Sequence, residues 1–147
     1  MKELKFIVLL FFLIMITARC DYSEGFRFHN NSTSDVYIDL DLYGGILYPD
    51  TAISKTKRGA LYKAGDTFYY TINTAKESIL NQHGTVSLFI FDADTFNIYS
   101  WEEIRNGYKI LQRYDISVED FKALRYNISY PPTEAMKNMK MYPPYEQ

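Results

Sequence analysis

From Val36 the chain alternates, with Val36, Ile38, Leu40 and Leu42 on one side and Tyr37, Asp39, Asp41 and Tyr43 on the other. A period of two is that of a strand with one face buried and one in water. Gly44-Gly45 ends it. Phe26 to His29 reads as a preceding strand, and Asn30 to Asp35 as a turn run whose side chains can bond nearby backbone. Ala60 to Tyr62 starts a short strand, Lys63 to Asp66 forms a turn, and Thr67 to Ile72 is a strand with Phe68, Tyr70 and Ile72 on one face. Thr74-Ala75-Lys76-Glu77 fits a capping box and predicts a helix from Ala75 to Gln82, stopped by Gly84. Val86 to Phe91 is apolar on both faces apart from Ser87, the pattern of a central strand covered on both sides.

The C-terminal half changes character. Ser100-Trp101-Glu102-Glu103 and Ser117-Val118-Glu119-Asp120 each place a serine three residues before an acid, a helix-start pattern. The first helix ends near Gly107 and the second spans about Val118 to Leu124. Tyr108 to Tyr114 is assigned to a strand, as is Tyr126 to Tyr130, which Pro131-Pro132 stops. From Thr133 the chain is read as a tail that packs loosely or stays mobile. About seven strands result. The fold class expected is mainly β, a single-domain β-sandwich with two or three short helices; an α+β sheet with helices on one side is the alternative.

The N-terminus carries a different signal. Lys2 and Lys5 precede an apolar run from Phe6 to Ile16, and Thr17-Ala18-Arg19 lead into Cys20, the sole cysteine. A charged region, a short apolar region and small residues mark a secretory signal peptide, too short for a membrane span of roughly 20 residues. A lone cysteine at its end points to lipidation at Cys20 after cleavage, giving a lipid-anchored protein of the bacterial cell envelope, outer membrane first, facing the periplasm or the surface. Arg19 stands where a lipobox has a small residue, so type I cleavage with an incidental cysteine, or an uncleaved anchor, is the competing reading. The division is residues 1–19 signal peptide, 20–132 strand-rich domain and 133–147 tail.

Composition narrows the function classes. Of 16 basic and 18 acidic residues, cleavage removes Lys2, Lys5, Arg19 and Glu3, taking the net charge from −2 to about −4. No basic stripe remains, which argues against a nucleic-acid partner. His29 and His83 are the only histidines, and each lacks a second ligand at helical or strand spacing, so no metal site and no cofactor is expected. Asp92-Ala93-Asp94 opens like a calcium loop, but Phe96 and Asn97 stand where an oxygen ligand and a glycine are needed. It is read instead as the polar end of a strand entering a turn. Asp39 and Asp41 share a strand face about 7 Å apart, a separation a glycosidase pair tolerates but same-strand acids rarely use. Tyr37, Asp39, Asp41 and Tyr43 form the candidate ligand-binding row, with rings to stack on sugars and carboxylates to accept hydroxyl protons. Sequons at Asn30, Asn31 and Asn127 are read as turn composition.

The signal ending at Cys20, Tyr48-Pro49-Asp50-Thr51, Phe89-Ile90-Phe91-Asp92, Ser100-Trp101-Glu102-Glu103-Ile104 and Arg113-Tyr114-Asp115-Ile116-Ser117 leading to Tyr130-Pro131-Pro132 together resemble small uncharacterised lipoproteins of Bacteroides-type bacteria. The resemblance implies a location and supplies no active site. The function expected is a non-enzymatic, lipid-anchored envelope component that binds a protein or joins an assembly. A surface glycan-binding accessory protein is the second reading, and a hydrolase working through paired carboxylates the third.

Overall fold

The most apolar strand, Thr85–Asp92, is buried along nearly its whole length. The computed structural model describes residues 25–41, 59–71 and 84–146. The strands there are β1 (Gly25–Asn30), β2 (Val36–Asp41), β3 (Ala60–Tyr62), β4 (Thr67–Thr71), β5 (Thr85–Asp92), β6 (Gln112–Ser117), β7 (Asn127–Tyr130) and β8 (Lys140–Tyr142). The helices are α1 (Ala93–Ile98), α2 (Trp101–Asn106) and α3 (Val118–Ala123), with a 3₁₀ turn at Glu134–Met136. The strands form two sheets, ordered β4-β1-β7 and β3-β2-β5-β6-β8. The larger is antiparallel throughout, whereas β1 pairs antiparallel with β4 and parallel with β7. The fold is mainly β and sandwich-like, with short helices as accessories.

Alternation on β1 and β2 makes the sandwich. Phe26, Phe28 and Ile128 of the smaller sheet face Val36, Ile38, Val86, Leu88, Ile90, Tyr114 and Ile116 of the larger in one buried cluster. β5 occupies the centre of the larger sheet, and its other side chains, Phe89 and Phe91, pack with Phe96 of α1 and Ile104 of α2 in a second cluster. Covering both faces explains why Val86 to Phe91 shows no alternation. A polar bond also crosses the main core: the buried Tyr114 hydroxyl donates to the Ser129 carbonyl at 2.8 Å, joining β6 to β7.

The chain changes sheets twice at one end, from β1 to β2 and from β3 to β4, and fully buried Asn30 joins the crossings. Its side-chain nitrogen lies 2.9 Å from the Ser34 carbonyl, 3.0 Å from that of Lys63 and 3.3 Å from that of Tyr62. Its side-chain oxygen accepts from the Ser32 amide at 3.2 Å and hydroxyl at 2.6 Å. Its backbone exchanges bonds with the second turn, donating to Asp66 and accepting from Gly65, whose φ of +83° suits a residue lacking Cβ.

Three segments depart from the sequence reading. Asp92 caps a helix absent from that reading, accepting from the Thr95 amide at 2.9 Å, so the strand end opens α1 rather than a plain turn. Residues Tyr108 to Leu111 are not strand: Tyr108 has a φ of +45° in the turn after α2, and β6 starts at Gln112. The segment from Thr133 is built into the fold. Met136 and Met139 join the core, β8 pairs with β6, and Gln112 donates to the Pro143 carbonyl at 2.7 Å. Its methionines decide this, because they fill the irregular margin between the sheets. The helix expected at Ala75 to Gln82 lies outside the described residues.

Asn30→Ala removes the shared donor from buried carbonyls, so it is expected to lower unfolding free energy by about 2–3 kcal/mol in urea titration. Tyr114→Phe, which leaves the Ser129 carbonyl without this donor but preserves packing, is expected to cost about 1–2 kcal/mol in the same measurement.

Candidate functional site

The outer face of the larger sheet collects most of the polar chemistry that the sequence singles out. Pairing sets Asp41 beside Ser87, Ser87 beside Asp115, and Asp115 beside Lys140, a row across β2, β5, β6 and β8. The next row runs Asp39, Phe89, Arg113, Tyr142. Tyr37 pairs with Phe91 one step further along, where α1 and α2 lie over the sheet.

That cover changes the meaning of the β2 face. Tyr37 stacks on Phe96 with centroids 4.4 Å apart and an interplanar angle of 23°, so one face of its ring is occupied. Trp101 meets Phe91 edge-on at 5.9 Å and Phe96 at 6.3 Å, holding α2 to the sheet. The face expected in water is therefore half covered: aromatic packing at the Tyr37 end and partly buried acids beyond it. Asp39 accepts from the Leu40 amide at 2.9 Å. Tyr43, the fourth member of the row, lies outside the described residues, as do Cys20 and His83.

The best-built polar group on this face is on β6. Arg113 and Asp115 are both buried, and the guanidinium Nε donates to Asp115 Oδ1 at 2.8 Å. The Ser87 hydroxyl donates to the same oxygen at 2.7 Å, and Lys140 Nζ lies 3.3 Å from the other. The Arg113 guanidinium sits 5.3 Å from the centre of the Phe89 ring. Burial pushes the Asp115 carboxyl up, but bonds from Arg113 and Ser87 and the charges of Arg113 and Lys140 outweigh it, holding the group below its ordinary value. A carboxylate so held is a poor proton donor or acceptor near neutral pH. Its chemical capacity is to clamp β5, β6 and β8 together. Tyr108 faces the same group; burial raises its hydroxyl, Arg113 pulls it down, and it ends above the ordinary tyrosine value.

Other candidates are engaged in structure. His29 is hydrogen-bonded between Thr67 Oγ1 at 3.0 Å and Asn127 Oδ1 at 3.3 Å, bridging β4 and β7 across β1. Asp92 caps α1. Among the described residues no cluster of three or more His, Cys, Asp or Glu could hold a metal ion. No protein-family model matches the chain, and no curated protein and no solved structure matches it.

The Arg113–Asp115 pair escapes the sequence reading because the strand assigned there stops at Tyr114, one residue short of Asp115, whereas β6 runs on to Ser117. The available signal is their i, i+2 spacing, which puts opposite charges on one face of any strand.

Tyr37→Ala is expected to cost about 2 kcal/mol of stability by opening the second cluster, with urea denaturation as the check. Asp115→Asn leaves a buried guanidinium without its counter-charge and is expected to cost about 3–5 kcal/mol. The wild-type carboxylate contributes stability above the unfolded-state aspartate range and loses it as pH falls through its lowered folded value. The Asp115→Asn variant is therefore expected to show a shallower fall in stability with acid, measured as denaturation midpoint against pH.

Proposed function

We propose that this chain is a non-enzymatic, lipid-anchored protein of the bacterial cell envelope that binds a partner protein along the open side of its sandwich. The observation carrying the binding reading is where β3 and β4 lie. Among the described residues β3 is an edge of the larger sheet and β4 an edge of the smaller, and the turn at Lys63 to Asp66 joins them along one side. Inside, Tyr62 packs on Phe68 with centroids 5.2 Å apart, and the Tyr62 and Tyr70 hydroxyls are 2.7 Å apart. Leu61 remains 47% exposed, and Phe68, at the margin of that inner layer, 44% exposed. Edge backbone flanked by exposed apolar side chains is the surface that strand addition uses: main-chain bonds give affinity and side chains give selectivity.

Anchoring rests on the charged and apolar leader ending at Cys20. No helix of the described residues is long and apolar enough to cross a membrane. Glycan binding has less support on β2, since one face of the Tyr37 ring is taken by Phe96.

The test is photo-cross-linking in intact cells from a probe at Leu61, with a second probe at Arg27 as control. A discrete cross-linked species from position 61, depleted at least about tenfold by Phe68→Lys, is expected. Cross-links from position 27 alone would place the partner elsewhere. Mass spectrometry of the N-terminal peptide reads the anchor separately: acyl chains on Cys20 are expected, and an unmodified new N-terminus would rule them out.

A further inference from the structure

β4 reads Thr67-Phe68-Tyr69-Tyr70-Thr71, close to a palindrome about Tyr69, with threonine at both ends and an aromatic ring on either side of the centre. Its pairing with β1 fixes where its main chain points. The Asn30 amide donates to the Asp66 carbonyl at 2.9 Å, and the Asn30 carbonyl accepts from the Gly65 amide at 2.8 Å. Alternation then aims the backbone groups of Phe28 and Phe26 at β4 as well, where their register partners are Phe68 and Tyr70. The amides and carbonyls of Thr67, Tyr69 and Thr71 are directed to the far side, and among the described residues no strand besides β1 pairs with β4. All of the strand except Tyr70 is exposed. Edge strands are ordinarily guarded by charge, proline or a bulge. β4 contains no charged residue and no proline, and its register with β1 runs unbroken from Thr67 to Thr71.

We propose that the partner on the open side is a second copy of this chain, paired antiparallel through β4 about a two-fold axis at Tyr69. The inference rests on that side being the binding surface, and names what binds there. In this register Tyr69 lies opposite its own equivalent and Thr67 opposite Thr71 of the copy, each pair exchanging two main-chain bonds. Phe68 lies opposite Tyr70 of the copy at the closer, non-bonded spacing, on the inner side where Phe68 meets Tyr70 edge-on at 4.9 Å within one chain. Threonine–threonine and aromatic–aromatic pairs stabilise such a ladder. The charges allow it too. Asp66, just before the strand, and its equivalent fall at opposite ends of the ladder. Arg27, paired with Tyr69 on β1, stands three strand spacings, about 14 Å, from its equivalent, beyond the screening length at physiological salt. A foreign strand would use the same main-chain bonds; the reversal symmetry of the side chains is what points to the copy. The pairing joins two three-stranded sheets into one, and its two-fold closure leaves no β4 edge for a third copy.

The test is disulfide trapping of the full chain in intact cells under copper–phenanthroline oxidation. Cys20 is the sole cysteine, so the unsubstituted chain is the blank. Tyr69→Cys sets two new Cα atoms about 5.5 Å apart, inside the roughly 4.4–6.8 Å that a disulfide spans. It is expected to give a species of twice the chain mass on a non-reducing gel. Thr67→Cys and Thr71→Cys, carried on separate chains with different tags, are expected to give a mixed dimer. Either one alone stands about 14 Å from its equivalent and should give at least about fivefold less product. Tyr69→Lys places like charges on the two-fold axis and, in chains whose circular dichroism is unchanged, should cut the mixed dimer about tenfold. No product from position 69, while the Leu61 probe captures a different protein, would overturn the second copy and leave the open side standing. Silence from both would remove the surface as well. Products from 67 or 71 alone as strong as the mixed dimer would report random collision and overturn the ladder.

Discussion

Everything at the crossover end depends on one buried amide. A chain that passes between two sheets leaves the hydrogen-bonding ladder, and the polar groups it carries across still need partners. Asn30 supplies them for both crossings, donating to carbonyls of the two turns and accepting from Ser32. Its two amide hydrogens serve three carbonyls within 3.3 Å, so the site is crowded with acceptors and any apolar replacement leaves some of them bare. The apolar side chains determine that two layers form. Asn30 determines which turn lies over which.

Strands were legible wherever burial was one-sided or complete. Val36 to Asp41 and Thr85 to Asp92 follow their patterns because period two and its absence both report how many faces are covered. The caps at Ser100 and Ser117 were readable as well, each closing a reciprocal box with the acid three residues on. What sequence could not show was which wet face another element would cover. Tyr37 is as compatible with water as with Phe96, and only the placement of α1 decides between them. The missed helix and the tail fail for a related reason. Asp92 looked like a turn because its cap follows a strand directly, and the methionines near 136–141 carry no period until two sheets define the gap they fill.

The candidate site shows the same division. Asp39 and Asp41 were visible as a pair, yet the charge built most firmly into the sheet is Asp115, with three donors around it. A carboxylate saturated in this way contributes rigidity to β5, β6 and β8. The opposite side of the sandwich, where β3 and β4 are the edge strands among the described residues, has no such clamp.

The parallel pairing of β1 with β7 also has a temporal meaning. Arg27 and Asn127 are partners in register although a hundred residues separate them in the chain. A chain made from its N-terminus presents β1 early, and its parallel neighbour arrives only after most of the sequence has followed. Until then Phe26 and Phe28 lack Ile128, and a strand meant for the middle of a sheet stands at its border. Completion of the smaller sheet thus waits on the last third of the chain, the order that non-local parallel pairing imposes.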